Sequence, residues 1–355
     1  MSAPWLITMG DAAGIGPEII ARAFNDCPGD LARCVVVGDL ATMRRATALV
    51  AARPHAGRLA SPALPVALLD SLADADSVPR NCIGLLQKGE LTTPIPYGLV
   101  SALAGDAAAR CIAWAAHAVL AGDAAGMVTA PIHKEALAAC PRWAAFPGHT
   151  ELLQAEAAAF LRCPVSSLPV RMMLANDELK VVLVSIHLSL RDAIDAMTLD
   201  AVLQTIRITH DALTASLGRV PRIAVAGLNP HAGEGGLFGV EEKVIIAPAV
   251  AAARAGGIDV QGPFAPDTVF MRARHAPDKP GEFDVVVAMY HDQGLIPVKY
   301  LGVAHGVNVT LGLPMLRTSP DHGTAFDIAG RGVADPSSLL AAVRMMRTLG
   351  DKIRP

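Results

Sequence analysis

Short apolar runs alternate with alanine-rich stretches of helical period along most of this chain. WLITMG (5–10) precedes a helix opening near Pro17, CVVVGD (34–39) precedes one through Met43, and GMVTAP (126–131) precedes one from Lys134. Farther on, RMMLAN (171–176), KVVLVSIH (180–187), RIAVAGLNPH (222–231) and DVVVAMYH (284–291) read as strands, with helices over Leu199–Leu217 and Val240–Ala255. Such alternation predicts βαβ units and a substantially parallel sheet covered by helices. Gly16-Pro17-Glu18 suits a helix start, with Pro in the first turn and an acid at the positive end of the dipole. The pattern weakens from Val50 to Pro96, where Arg53-Pro54, Ser61-Pro62 and Val78-Pro79 fall, so that stretch is expected to be an edge elaboration. His275–Glu282 is expected to be an exposed turn.

At 355 residues the chain holds one large or two ordinary domains. Its net charge of −3, without a Lys/Arg cluster, excludes a general nucleic-acid binder. Cys27, Cys34, Cys82, Cys111, Cys140 and Cys163 form no CxxC pair and are expected to be buried thiols of a reducing compartment. The N-terminal MSAPWLITMGD has no basic n-region, and the apolar helix Ala107–Leu120 is broken by Arg110 and His117 and is too short for a bilayer. A cytoplasmic protein without membrane or nucleic-acid partners is expected.

Three histidines close three of the apolar runs: His187, His231 and His291. Parallel strands deliver such residues to one sheet edge, and three imidazoles converging there would suit Zn²⁺ or a similar divalent ion with positions left open for a substrate. A single strand-end histidine is more commonly a hydrogen-bonded loop residue, and no HExxH or Cys/His finger spacing is present. The first loop, Met9–Glu18, carries three glycines whose backbone amides could hold an anion, although it matches neither GxGxxG nor GxxxxGK[ST]; a plain tight turn is the alternative.

The stretch 321–332, DHGTAFDIAGRG, resembles the adenosine-binding loop of the isopropylmalate and isocitrate dehydrogenases. That resemblance implies cofactor contacts at Gly323, Thr324 and Asp327. A carboxylate at Asp327 accepting from the ribose diol would repel a 2′-phosphate, so NAD is the implied cofactor. A helix N-terminal turn is the structural alternative.

MGDAAGIGPEI, TAPIHKEAL, FPGHTELL, SIHLSLRD, GLNPHAGEGGLFGVEE, GPFAPDT, AMYHDQGLIPVKYLG and GVNVTLGLPMLRTSPDHGTA extend the resemblance over nearly the whole chain. Together they resemble the 4-hydroxythreonine-4-phosphate dehydrogenase family of vitamin B6 synthesis. The resemblance implies a two-lobed isopropylmalate dehydrogenase-like α/β/α fold with largely parallel sheets, not a Rossmann domain. Residues 1–140 plus 306–355 would carry the termini and the NAD loop, and 141–305 the metal, substrate and dimer contacts. It further implies a divalent metal (Zn, alternatively Mg or Co) on His187, His231 and His291 drawn from both subunits of a homodimer. Substrate contacts fall on His149, Thr150, Lys299, Asn308 and Arg317, with Asp267 an acidic residue at the substrate and Asp292 a second candidate base.

Each of these has a plainer alternative: surface ion pairs for Lys299 and Arg317, a helix cap for Thr150, a strand-end amide for Asn308, a turn for Asp267. GDAAG and SIHLSLRD depart from the family's commoner GDPAG and THxPLRD. The expected activity is metal-dependent NAD oxidation of 4-phosphohydroxy-L-threonine at C3, then decarboxylation to 3-amino-2-oxopropyl phosphate. A paralogue acting on D-threonate or D-erythronate 4-phosphate is the near alternative, and a zinc hydrolase the alternative of another class.

Overall fold

The computed structural model describes residues 3–53, 62–302 and 305–353. The described strands are β1 (Trp5–Thr8), β2 (Cys34–Gly38), β3 (Val66–Leu68), β4 (Ile83–Gln87), β5 (Met127–Thr129), β6 (Arg171–Ala175), β7 (Lys180–Leu183), β8 (Ile223–Ala226), β9 (Val260–Phe264), β10 (Val285–Ala288), β11 (Val307–Leu311) and β12 (Arg317–Pro320). The helices are α1 (Gly16–Asp26), α2 (Leu40–Ala52), α3 (Ala102–Leu120), α4 (Lys134–Ala138), α5 (His149–Leu161), α6 (Leu190–Asp195), α7 (Leu199–Leu217), α8 (Ala247–Ala255), α9 (Val269–Ala273), α10 (His291–Tyr300) and α11 (Ser337–Ile353). Two compact units result, residues 1–169 with 313–347 and residues 170–312 with 348–355. The division thus falls at 169/170 and 312/313, whereas the sequence expectation places it at 140/141 and 305/306. No helix among the described residues is long and apolar enough to cross a membrane.

In the first unit the strand order is β3-β4-β2-β1-β5-β12, with every pair parallel. That order differs from the 3-2-1-4-5-6 of a Rossmann sheet. The irregular stretch supplies β3 and β4 as its edge; Pro54 and Ser61 lie outside the described residues. Ile7 pairs with Val36 on one side and Val128 on the other, so the apolar runs stack into a sheet buried on both faces. Alanine-rich α3, N-capped by Ser101, packs against Leu6, Val35, Met127, Leu137 and Leu152. Its Gly105 lies so close to the Ala136 carbonyl that any Cβ would collide with it, which explains the glycine between alanines. Truncating Ile112 to Ala in this core costs about 2–5 kcal/mol.

The second unit is ordered β11-β6-β7-β10-β8-β9. β7, β10, β8 and β9 run parallel, but β6 is antiparallel to both β7 and β11. The sheet is thus largely parallel, as expected, with β6 the exception, because the link from Ala175 to Lys180 is too short for a crossover and closes a hairpin. Asn176 makes that turn, its Oδ1 accepting from the Glu178 and Leu179 amides at 2.9 and 2.8 Å. Leu199–Leu217 is helical as expected, N-capped by Thr198 and ended by Gly218 at φ +67°. The Val240–Ala255 helix is not uniform, since a π turn over Glu242–Ile246 precedes α8 and Pro248 enters its first turn. Three cysteines, Cys34, Cys82 and Cys111, are buried; Cys27, Cys140 and Cys163 are only partly so, and all six are free thiols.

Candidate active site

In the first unit, polar side chains gather beyond β1 and β5. Arg317 opens β12 at 4% exposure, and its Nε and Nη2 donate to Thr129 Oγ1 at 3.0 and 2.6 Å. Burial lowers its pKa to about 10, the mark of a guanidinium taken out of water. His149 begins α5, behind the N-cap Gly148, so Thr150 is a first-turn residue and not the cap. Burial, then the nearby Arg317 charge, holds the His149 imidazole well below its ordinary pKa, and its Nε2 is shut from solvent with no partner among the described residues. A neutral imidazole beside a buried cation can donate to an anion without needing a proton from solution.

Asp11 and His133, which carry no assigned role in the sequence, join this set. Asp11 is 1% exposed; burial raises its pKa against the Ala13 amide that donates to Oδ1 at 2.8 Å and the nearby His133. His133 stacks on Phe326 with ring centroids 4.5 Å apart. Their signal lies in MGDAAG and TAPIHK, where a charged or polar residue interrupts strand-to-helix turns rich in small residues.

The first loop packs on the segment resembling an adenosine site. The Ile15 amide donates to the Thr324 carbonyl at 3.0 Å, and a Cβ on Gly14 would meet Thr324 Cβ at 2.9 Å. Gly14 thus serves close approach to that segment, whereas Gly10 and Gly16 lie against the Pro131 and Met9 carbonyls, where any Cβ would collide. Thr324 is buried, whereas Gly323 and Asp327 are exposed. Gly330, at φ +77°, lies flat against the Tyr97 ring, which the Arg45 guanidinium covers from 4.0 Å. Buried Glu18 accepts from the Ala334 amide at 2.9 Å, and buried Arg22 donates to the Gly332 carbonyl at 2.9 Å. The segment is therefore anchored at both ends while Asp327 stays accessible.

In the second unit, His187 follows β7 and His291 opens α10, with ring centroids 6.0 Å apart. They line a cavity of about 240 Å³ with Leu188, Leu190, Tyr290 and Asp292. Asp292 Oδ1 is 2.7 Å from His291 Nδ1; an ionised carboxylate can only accept there, so the contact places the ring proton on Nδ1. His231 occupies a turn after β8 in which His231 through Gly235 all have positive φ, and its ring is 6.2 Å from Phe238. Among the described residues of one chain, no three His, Cys, Asp or Glu side chains form a metal-holding group. The chain brings His187 and His291 together and leaves His231 apart from them.

Lys299 is half-buried in the last turn of α10, and Asn308 half-buried on β11 opposite Leu174. Asp267 is exposed in the turn before α9.

Residues 30–346 match the family model described as pyridoxal phosphate biosynthetic protein PdxA. The chain is 52% identical over 340 residues to a 4-hydroxythreonine-4-phosphate dehydrogenase of Beijerinckia indica, covering 96% of this chain and 93% of that one. It is 44% identical over 344 residues to a D-threonate 4-phosphate dehydrogenase of Pectobacterium atrosepticum, covering 97% and 98%. The crystal structure of a Klebsiella pneumoniae 4-hydroxythreonine-4-phosphate dehydrogenase superposes with a TM-score of 0.84 at 41% identity, covering 98% of this chain and all of that one. With the largely parallel α/β sheets and the ordered motifs, these matches place the chain in the PdxA family of pyridoxal phosphate biosynthetic proteins, as an enzyme of the dehydrogenase class.

Proposed function

We propose that the protein oxidises 4-phosphohydroxy-L-threonine at C3 with NAD, and that the resulting β-keto acid loses CO₂ to give 3-amino-2-oxopropyl phosphate. The observation that carries this is the 52% identity across 96% of the chain to a relative of that name. Buried Arg317 and neutral His149 add a site suited to an anion. In this proposal Arg317, Lys299, His149, Thr150 and Asn308 bind and orient the phosphorylated substrate, Arg317 engaging oxygens through its planar fork. Asp267 takes the proton from the C3 hydroxyl, directly or through water. Asp292 is better suited to orienting His291 than to proton abstraction, because its carboxylate already faces that imidazole.

The donor set fits a divalent ion: two imidazoles 6.0 Å apart, one held by a carboxylate, beside an open cavity. His187, His231 and His291 would hold it, with the set completed across a homodimer. Exposed Leu188, Leu190, Leu237, Phe238 and Val240 flank the turns bearing His187 and His231 and support such an interface. When bound, the ion supplies a Lewis acid and NAD a hydride acceptor. Gly323, Thr324 and Asp327 would hold the NAD ribose, the exposed Asp327 carboxylate disfavouring a 2′-phosphate. Six free thiols suit a cytoplasmic location.

The 44% identity to a D-threonate 4-phosphate dehydrogenase supports a second substrate, differing by a C2 hydroxyl in place of the amine. NADH formation by chelator-stripped, metal-reconstituted enzyme on 4-phosphohydroxy-L-threonine, D-threonate 4-phosphate and D-erythronate 4-phosphate separates the two. Highest kcat/KM on the amino acid phosphate sustains the proposal; highest on a sugar-acid phosphate replaces it. In either case Arg317→Met should raise KM about 100-fold, the scale of losing a buried charged hydrogen bond.

A further inference from the structure

We infer that Gln293 is a positioning residue for the proposed metal centres of the dimer, its side-chain amide fixing in one register the turn that carries His291 and the turn by which the same chain would present His231 to its partner's centre. The inference rests on the reading above, in which His187, His231 and His291 hold a divalent ion. Gln293 lies in the first turn of α10 and is 9% exposed. Its Oε1 accepts from the Met289 amide at 2.7 Å, and its Nε2 donates to the Gly227 carbonyl at 2.7 Å. Met289 and Gly227 are the residues just past the ends of β10 and β8, which are parallel neighbours. Where the β ladder stops, their backbone groups need another partner, and one side chain supplies both.

Glutamine suits this place because it offers one acceptor and one donor on the same planar group. An ionised glutamate would aim a second acceptor at the Gly227 carbonyl, and a lysine would have nothing to offer the Met289 amide.

The same bonds reach the third histidine. The Met289 carbonyl accepts from the Ser185 amide at 3.3 Å and from Ser185 Oγ at 2.9 Å, two residues before His187. On the other side, buried Glu242 accepts from the Leu228 and Asn229 amides at 2.7 Å each. Gly227 lies so tightly against this turn that a Cβ would stand 3.0 Å from Ala232 Cα and 3.1 Å from Glu242 Oε1. Each histidine is thus within four residues of one continuous hydrogen-bonded set centred on Gln293, and none of those bonds uses an imidazole nitrogen.

The test is titration of the full-length apo protein with Co²⁺, following the ligand-field absorption, with Gln293→Met, Gln293→Glu, His231→Ala and His291→Ala beside the wild type. Circular dichroism and the thermal midpoint of each apo variant report folding separately. The expected result is loss of the Co²⁺ signal in both histidine variants. Gln293→Met should keep native ellipticity, bind Co²⁺ about 10-fold more weakly and show a shifted band pattern. If Gln293→Met fails to fold, Gln293→Glu decides, since it retains the bond to Met289 and loses only the one to Gly227. Wild-type Co²⁺ affinity and spectrum in folded Gln293 variants, with binding lost in the histidine variants, would overturn the positioning role and leave the metal reading intact. Undiminished Co²⁺ binding in His231→Ala and His291→Ala would overturn the metal reading and the inference with it.

Discussion

Asp284 clamps the base of the two strands that lead to His231 and His291, and its replacement should cost stability in a pH-dependent way. It stands just before β10 with a side chain 7% exposed. Its oxygens accept from Arg219 Nη1 and Nη2 at 2.8 and 2.7 Å, from the Arg222 amide at 2.8 Å, and from Arg222 Nη2 and Nε at 3.1 and 3.3 Å. Burial pushes its pKa up, but the hydrogen bonds from Arg219 and then Arg222 outweigh it and hold the carboxyl far below its ordinary range.

In Asp284→Asn the shape remains, the charge is lost, and an NH₂ group turns toward donors. The two guanidinium groups are 53% and 40% exposed, so each pairing counts for only about 0.5 kcal/mol. The bond from the Arg222 amide to a charged acceptor adds about 1.5 kcal/mol. The expected loss is therefore about 2–3 kcal/mol at pH 7. All three tryptophans, Trp5, Trp114 and Trp143, lie in the first unit, so urea unfolding followed by far-UV circular dichroism is the appropriate probe.

The folded pKa is depressed, so the ionised form's contribution is complete above the unfolded value near 3.8 and declines as pH falls below it toward the folded value. The difference between wild type and Asp284→Asn should then be constant from pH 7 to 5 and shrink toward pH 3. A difference under about 0.5 kcal/mol at pH 7, the scatter of surface substitutions, or one that grows on acidification, would refute the clamp.

Because the His149 imidazole is held well below its ordinary pKa, its ring proton resonances should stay in the neutral form from pH 8 down through the ordinary titration range near 6.5. The unfolded chain takes up that proton first, so His149 should make stability rise with pH through that range; a His149 resonance titrating near 6.5 would contradict its enclosure. Gly330→Ala should thrust a methyl group into the Tyr97 ring, which Arg45 prevents from yielding, and should also impose positive φ on an L residue. The expected outcome is a loss of about 2 kcal/mol or more in thermal stability and weaker NAD binding by fluorescence titration, whereas Gly323→Ala, whose Cβ would meet nothing within 4 Å, should leave stability unchanged.

Local pattern carried much of the fold to the surface of the sequence. The apolar runs at Trp5, Cys34, Ile223 and Val285 became strands, and Thr198 and Gly218 bounded α7 where a cap and a left-handed terminator would. These are properties of neighbouring residues, so periodicity and capping chemistry reveal them. The direction of β6 was not legible, although the shortness of the link to β7 contained it. Nor were the roles of Asp11 and His133, whose chemistry depends on burial and on an aromatic ring near the other end of the chain.

The sequence by itself determined the strand and helix segments, the family and the identity of the candidate ligands, because composition, period and ordered motifs are written residue by residue. Tertiary structure alone decided that Thr129 receives the Arg317 guanidinium across 188 positions, that Gln293 spans to Gly227 across 66, and that His187 meets His291 while His231 stays apart. Those facts follow from strand order and parallel register, which bring distant residues within hydrogen-bond reach and have no local trace in the chain.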